Sequence, residues 1–453
     1  MRLRAGLAAS IAASMVIMAG CGSDSGEAEG GGSDTLRVVY QKFGNFTQAD
    51  EHFTQVKQDF EAEHDGITVE LVPIEASQND YFTKLALMHG SESTAPDVMY
   101  EDTFMIKSDV DAGYLLPLDD YLAEWEDWDQ FYDNAKNAGL GDDGSTYGVP
   151  MGTDTRALWY NTELFEQAGI PVPWEPTSWD DVLETARTLK QELPDVIPLN
   201  VYSGKAMGEA SSMQGFEMLL YGTEDRLYDE ESQKWVVGSQ GFIDSLEFIR
   251  TIYDEGLAPT PQQALDPNLG ATVTSQWLPN GELAIALDGS WQAGNWLESG
   301  EAPWPGWNDV MANAAMPTQN GQDPGAVSMS GGWTLAVGAG SKAPDLAFEF
   351  ITMALNKENS LSYDVEASQI AVRQDVAEDP EYTEANPSFE FFSEIVEFTH
   401  FRPATSDYPQ ISNEIQVAME SVMTGQQSPE EAAAAYDSAV ERIVGPDGVV
   451  SAG

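Results

Sequence analysis

Two hydrophobic periods take turns along this chain. "LRVVY" (36–40) is a short β-branched run and predicts a buried strand. From 48 to 63, Phe53, Val56 and Phe60 recur at helical spacing. "ITVELVP" (67–73) then alternates as a strand and stops at Pro73. "DYFTKLALMHG" predicts a second helix ending at Gly90, and "DVMYE" (97–101) a third strand. Strand, helix, strand is how an α/β unit begins. Later helices mark their own ends. Ser178 caps a helix in which Trp179, Val182, Leu183, Ala186 and Leu189 share a face, with Asp181 three residues after the cap. Ser428, Pro429 and Glu431 open another, and Gly445 closes it. The Pro-rich stretches 171–176, 259–267 and 303–305 read as surface loops, and no fixed-period repeat is visible. A chain of 453 residues is long for one core. The fold class is therefore α/β, in two lobes.

The first 34 residues follow neither period. Arg2 and Arg4 precede an apolar run, 5–19, shorter than the roughly 20 residues a spanning helix needs. This is the pattern of a secretory signal, expected over 1–20. Its end, Met18-Ala19-Gly20-Cys21, resembles a bacterial lipobox, which implies a diacylglyceryl group on Cys21 and cleavage just before it. Residues 21–34 are Gly, Ser and acid, and are expected to be a flexible tether to the membrane. Cys21 is the only cysteine, so disulfides and thiol catalysis are excluded. His52, His64, His89 and His400 are scattered, and neither a metal nor a cofactor is expected. Charge narrows the ligand: 20 Lys and Arg against 76 Asp and Glu give a net −56. Such a surface repels nucleic acid and anionic ligands, so a neutral one is expected.

The block "YGVPMGTDTRALWYNTELFEQAGIPVPWEPTSWDDVLETARTLK" (147–190) resembles the family 1 extracellular solute-binding proteins of ABC importers. Its marks are Tyr160-Asn161, Leu164-Phe165, Ala168-Gly169-Ile170-Pro171 and Ser178-Trp179-Asp180. Three further blocks, at 281–296, 330–358 and 401–432, follow in the family's order. The resemblance implies a type II periplasmic-binding fold: two α/β lobes around a hinged cleft, with crossings near residues 152, 332 and 372. Lobe 1 would hold 35–152 and 333–372, and lobe 2 would hold 153–332 and 373–453. It also implies a monomer that delivers its ligand to permease subunits and, through them, to an ATPase.

Sugars offer hydroxyls to polar groups and C–H faces to aromatic rings, so a neutral di- or oligosaccharide is the expected ligand. Site residues should lie at strand ends facing the cleft. Glu101 and Asp102 end a strand where the family places ligand contacts. Asp154 and Arg156 follow the first crossing, and the arginine can orient the acid. Trp291, in "DGSW", matches the family's stacking tryptophan, with Asp288 beside it. Gly332 and Trp333 lie at the second crossing, and Arg402 matches an arginine that contacts ligand in sugar-binding relatives. Lys42 and Asn45 follow the first strand. Ser212 and Gln214 fall where relatives carry variable contacts.

The segment 338–343 imitates a dinucleotide fingerprint, Gly-x-Gly-x-x-Ala, between a strand and a helix. No acid ends a strand about 20 residues on, where a ribose would need one. Ser341 as a cap and Pro344 in the first turn explain the segment as structure. A glycoside hydrolase is the enzymatic alternative, needing two carboxylates roughly 5–10 Å apart. A polysaccharide-display module is the other. The expected protein is a non-enzymatic receptor.

Overall fold

The computed structural model describes residues 34–42, 47–76, 78–91, 93–298 and 300–452. The signal, most of the tether, Cys21 and Asn45 lie outside them. Strands and helices then follow the predicted order: β1 (Thr35–Lys42), α1 (Gln48–Glu63), β2 (Thr68–Glu75), α2 (Gln78–His89) and β3 (Val98–Asp102). β1 pairs in parallel with both β2 and β3, as helical crossovers require. Phe53, Val56 and Phe60 of α1 are fully buried, so the helical spacing marked the packed face. A short helix, α3 (Ile106–Asp111), and an edge strand, β4 (Gly148–Gly152), complete the first pass through lobe 1.

The chain then crosses into lobe 2 through β5 (Arg156–Asn161). The Asn161 side chain caps α4 (Thr162–Ala168), and Gly169 ends it in the left-handed region. α5 (Trp179–Glu192) is capped by Ser178 and buries the five residues the pattern selected. β6 (Ile197–Asn200), α6 (Gln240–Asp254), β7 (Leu283–Gly289) and β8 (Met311–Ala314) follow. The lobe-2 sheet runs β8-β5-β7-β6.

β9 (Ala326–Met329) leads back to the second crossing, and β10 (Trp333–Val337) inserts between β3 and β4, antiparallel to both. The lobe-1 sheet therefore runs β2-β1-β3-β10-β4, made from two distant pieces of chain. α7 (Pro344–Ala354) and α8 (Lys357–Glu366) pack on α1. Pro344 is in the first turn of α7, but Ser341 is not its cap. It donates to Asp97 (2.5 Å) and accepts from the Ala343 N–H, pinning the turn to lobe 1. β11 (Thr399–His400) pairs with β9, and α9 (Tyr408–Met423) and α10 (Pro429–Val444) pack together on α6 in lobe 2.

One stretch departs from the expected partition. Residues 373–385, assigned to lobe 2 from the sequence, stay against lobe 1. Arg373 is buried and donates to the Leu355 carbonyl (2.7 Å), Asp127 (3.0 Å) and Asp375 (2.8 Å). The short helices Gln374–Ala377 and Pro380–Ala385 pack on α8. A buried guanidinium must keep its acceptors, and these hold the segment in place. Further on, Phe392 and Ile395 join Trp159 and Trp296 in one cluster, which Ile370 also enters.

At the crossings, Thr153 and Ile370 exchange backbone hydrogen bonds (3.0 and 2.8 Å), and the Thr153 hydroxyl donates to the Gly331 carbonyl (2.9 Å). Gly332 has φ +128°, and a Cβ there would stand 2.4 Å from the Gly152 carbonyl oxygen. Gly332→Ala should therefore lower stability by about 2 kcal/mol or more, read as a shifted urea midpoint. Gly340→Ala, whose new methyl would meet only the Ala95 Cβ at 3.8 Å, should leave it nearly unchanged.

Candidate functional site

The end of β3 and the start of β10 in lobe 1 lie near the start of β5 and the end of β7 in lobe 2. On the lobe-1 side Trp333 lies parallel to Tyr100, with ring centroids 4.3 Å apart. Tyr81 and Phe82 of α2 flank it at 6.1 and 6.3 Å. On the lobe-2 side Trp291 packs on Gly289, where a Cβ would stand 2.0 Å from the indole. The glycine of "DGSW" thus makes room for the ring. The Arg156 guanidinium sits 4.7 Å from the Trp291 centroid, a cation–π brace. Both tryptophans keep partial exposure.

Charges at the crossings come in pairs. Asp154 is ion-paired with Arg156 and also accepts from the Gly331 N–H (2.9 Å). Burial lowers the pKa of Arg156, with Asp154 opposing that shift. Asp102 accepts from Arg402 on one oxygen (2.5 Å) and from Gln78 on the other (3.0 Å). Burial pushes Asp102 up to about 6, against the pull of Arg402. Arg402 also reaches Glu209 (3.4 Å) and lies over the Phe104 ring, 4.1 Å from its centroid. Burial disfavours its charge, but Asp102 and Glu209 outweigh that and hold its pKa above the ordinary arginine value.

The structure thus brings Asp102, Asp154, Arg156, Trp291, Gly332, Trp333 and Arg402 together at the crossings between the lobes. Other candidates lie elsewhere. Successive residues of a strand point to opposite faces, so Glu101 turns away from Asp102 into the lobe-1 interior. It is fully buried, and neither of its carboxyl oxygens has a hydrogen-bond partner among the described residues. Burial first, and then Asp109, raises Glu101 well above the carboxylate range, and burial lifts Asp109 to about 6. Asp288 is buried too. It accepts from Tyr202 (2.8 Å), Gln292 (2.5 Å) and the Gly289 N–H (2.8 Å), which fixes the turn before Trp291. Ser212 is buried and bonded to Ser412 (2.6 Å) and Gln416 (3.0 Å), tying the wide-turned helix Ala210–Glu217 to α9. Gln214, on the same helix, is nearly buried, and its side-chain oxygen has no partner. Lys42 ends β1 and pairs with Asp50 (3.2 Å).

Sequence reasoning missed Gln78, Phe82, Phe104, Glu209 and Tyr408. Phe104 packs on Tyr408 of α9 with centroids 5.2 Å apart, and Phe104 and Met105 share a core cluster with lobe-2 residues, so the lobes touch beyond the crossings. A groove of about 660 Å³ also runs along the crossings, lined by Tyr132, Thr153, Gly331, Ile370, Phe389 and Phe401 among others. Neither Trp291 nor Trp333, nor any of the paired charges, lines it. Among the described residues, no group of three His, Cys, Asp or Glu is placed to hold a metal ion, and no helix is long and apolar enough to cross a membrane.

Glu217, at the end of the wide-turned helix, is fully buried and accepts from the Tyr408 hydroxyl (2.6 Å). Burial pushes its pKa up to about 8, with Tyr408 holding it back. The folded protein keeps a proton that the unfolded chain releases above its ordinary value of 4.5. Stability from this group is complete below that value and is lost as pH rises towards 8. Glu217→Gln should flatten the fall in unfolding free energy between pH 5 and pH 9 by on the order of 3 kcal/mol, measured in urea at each pH.

Comparison with known proteins agrees with this architecture. A binding protein of Brucella abortus is 30% identical over 208 residues, 46% of this chain and 47% of that one, so the match spans about half that relative's length. The galactooligosaccharide-binding protein of Bacillus subtilis is 23% identical over 394 residues, 85% of this chain and 84% of that one. An ABC transporter solute-binding protein of Thermotoga lettingae, solved bound with alpha-D-tagatose, superposes with a TM-score of 0.77 at 23% identity, covering 91% of this chain and 100% of that one. The likeness shows the two-lobed periplasmic-binding fold. Residues 44–360 match the family described as bacterial extracellular solute-binding protein, and with well over half its length inside that match the chain belongs to this family.

Proposed function

We propose that the protein is the receptor of an ABC importer, capturing a neutral disaccharide or short oligosaccharide by closure of its lobes. The observation that carries this reading is the pair of partly exposed tryptophans beside the crossings, Trp333 on lobe 1 and Trp291 on lobe 2. A ligand touching both is bound better when the lobes are together, and closure shifts only by that difference in affinity. Trp291, Trp333, Asp154, Arg156 and Gly332 form the centre of the site, and Asp102 and Arg402 its border. Buried charges there are Asp102, Asp154 and Glu209 against Arg156 and Arg402, which leaves little field for an ionic ligand and suits a neutral one. All three of these acids are spent on ion pairs, which favours a receptor over a hydrolase needing a free acid and base.

Cys21 is the proposed lipid anchor, which would hold a monomer at the outer face of the cytoplasmic membrane. There the closed form would be recognised by permease subunits coupled to an ATPase. Thermal melts of the protein with mono- to tetrasaccharides test the core of this reading. One sugar class should raise the apparent stability, by roughly 2.7 kcal/mol at one hundred times its dissociation constant, and be recovered intact by chromatography. Trp291→Ala and Trp333→Ala should each weaken that binding at least tenfold, the order expected for losing an aromatic stacking contact. Melts unmoved by every sugar would overturn the sugar assignment, and a cleaved sugar would overturn the receptor.

A further inference from the structure

We propose that Asp102 and Arg402 form a latch between the lobes that sets how much of the protein is closed before ligand arrives, with Glu209 as the positioning residue for Arg402. The inference rests on the receptor reading only in its effect on sugar affinity.

The groups divide cleanly between the two bodies. Arg402 follows β11, which pairs with β9, and precedes α9, whose core contacts are in lobe 2. Glu209 is held to α9 by the Ser412 hydroxyl, which donates to it, and lies 3.1 Å from the Tyr408 oxygen. Arg402, Glu209 and α9 therefore move as one. Asp102 ends β3 and is tied by Gln78 to α2, both in lobe 1. Within this group the Asp102–Arg402 contact, 2.5 Å, is the ion pair that crosses between lobes. Side-chain exposures of 3% and 4% show that both partners are dry in this arrangement.

Rotation of the lobes about the crossings would pull Asp102 from Arg402 and leave Arg402 on Glu209. The ion pair, its packing under Phe104 and the contacts of Phe104 and Met105 with lobe 2 are then among the terms that distinguish closed from open. Opening returns water to both charges, so the net preference is a modest difference between large opposing terms. That is the regime in which a latch biases an equilibrium without locking it. Glu209 lowers the ordering cost of closure, because the guanidinium is already aimed at where Asp102 arrives. Glu209 also keeps Arg402 paired in the open form, so no buried charge is stranded when the lobes part.

Small-angle scattering of the protein without sugar tests the latch directly. The wild type should be more compact than Asp102→Asn and Arg402→Gln, both of which should move to a larger radius of gyration. The double variant should show no further increase, because each residue acts through the other. Sugar affinity should fall about 5-fold or more in each, since apparent affinity scales with the closed fraction. A chemical melt of each variant checks that it is folded, and Asp102→Asn preserves the side-chain shape. Identical radii for wild type and both single variants would overturn the latch, as would additive effects in the double variant. Weakened sugar binding with unchanged radii would assign the two residues to direct ligand contact instead. The scattering needs no sugar, so the latch stands or falls on these radii even if the receptor reading fails.

Discussion

A guanidinium removed from water has to bring its counter-charges with it, and the base of the cleft is arranged around that requirement. Arg402 takes one carboxylate from each lobe, while Arg156 takes Asp154 and leans on Trp291. Each arginine fixes a carboxylate at a strand end, and each lies against an aromatic ring. Because burying an unpaired charge costs several kcal/mol, these positions depend on one another. Removing Asp154 would leave Arg156 without its ion-pair partner, whereas Arg402 would keep one of its two acids. The crossings add a steric condition: Gly332 lies against the Gly152 carbonyl too closely for any side chain. Charge pairing and backbone clearance together bring the two lobes to the same few residues.

How much of this could be read from the sequence depended on how local the interaction was. α5 and the last long helix, α10, carry caps within three residues of their starts, so both were legible. Trp291 was legible because a short motif holds the ring and the glycine that makes room for it. Glu101 and Asp102 are neighbours in sequence, and only the pleat decides which faces the cleft; the sequence named both. Arg373 and Asp127 are 246 residues apart, and Arg402 and Glu209 are 193 apart. No periodicity reports contacts of that kind, which is why the segment 373–385 was placed on the wrong lobe and Glu209 was not found. Ser212 and Asp288 have the right residue types for a sugar site, but their bonding capacity is already used inside lobe 2.

The strong acidity of the chain and the balance inside the cleft are separate facts. With 76 acids against 20 bases, most carboxylates have no cation to pair with and stay solvated. The few basic residues are not distributed evenly: Arg156, Arg373 and Arg402 are all buried with partners, where an arginine's fixed charge and planar donors serve best. The interior thus holds near-neutral clusters inside a negative shell. A neutral solute crosses such a shell without electrostatic penalty, whereas an anion would be opposed before reaching the cleft.

On the receptor reading proposed above, two tryptophans on opposite lobes give closure a reason to depend on ligand. A ring stacked on one lobe alone would bind the open and closed forms equally and shift nothing. Trp333 is braced by Tyr100 and Trp291 by Arg156, so neither needs to reorganise when a sugar arrives, and the contact energy is available to hold the lobes together. The Asp102–Arg402 pair works on the same coordinate from the other end, because its strength also changes only when the lobes move. The more closure the pair supplies by itself, the less a ligand has to supply, and the weaker is the contrast between empty and loaded forms. A useful receptor therefore needs a pair whose net strength is small, which a dry ion pair with a large desolvation penalty provides.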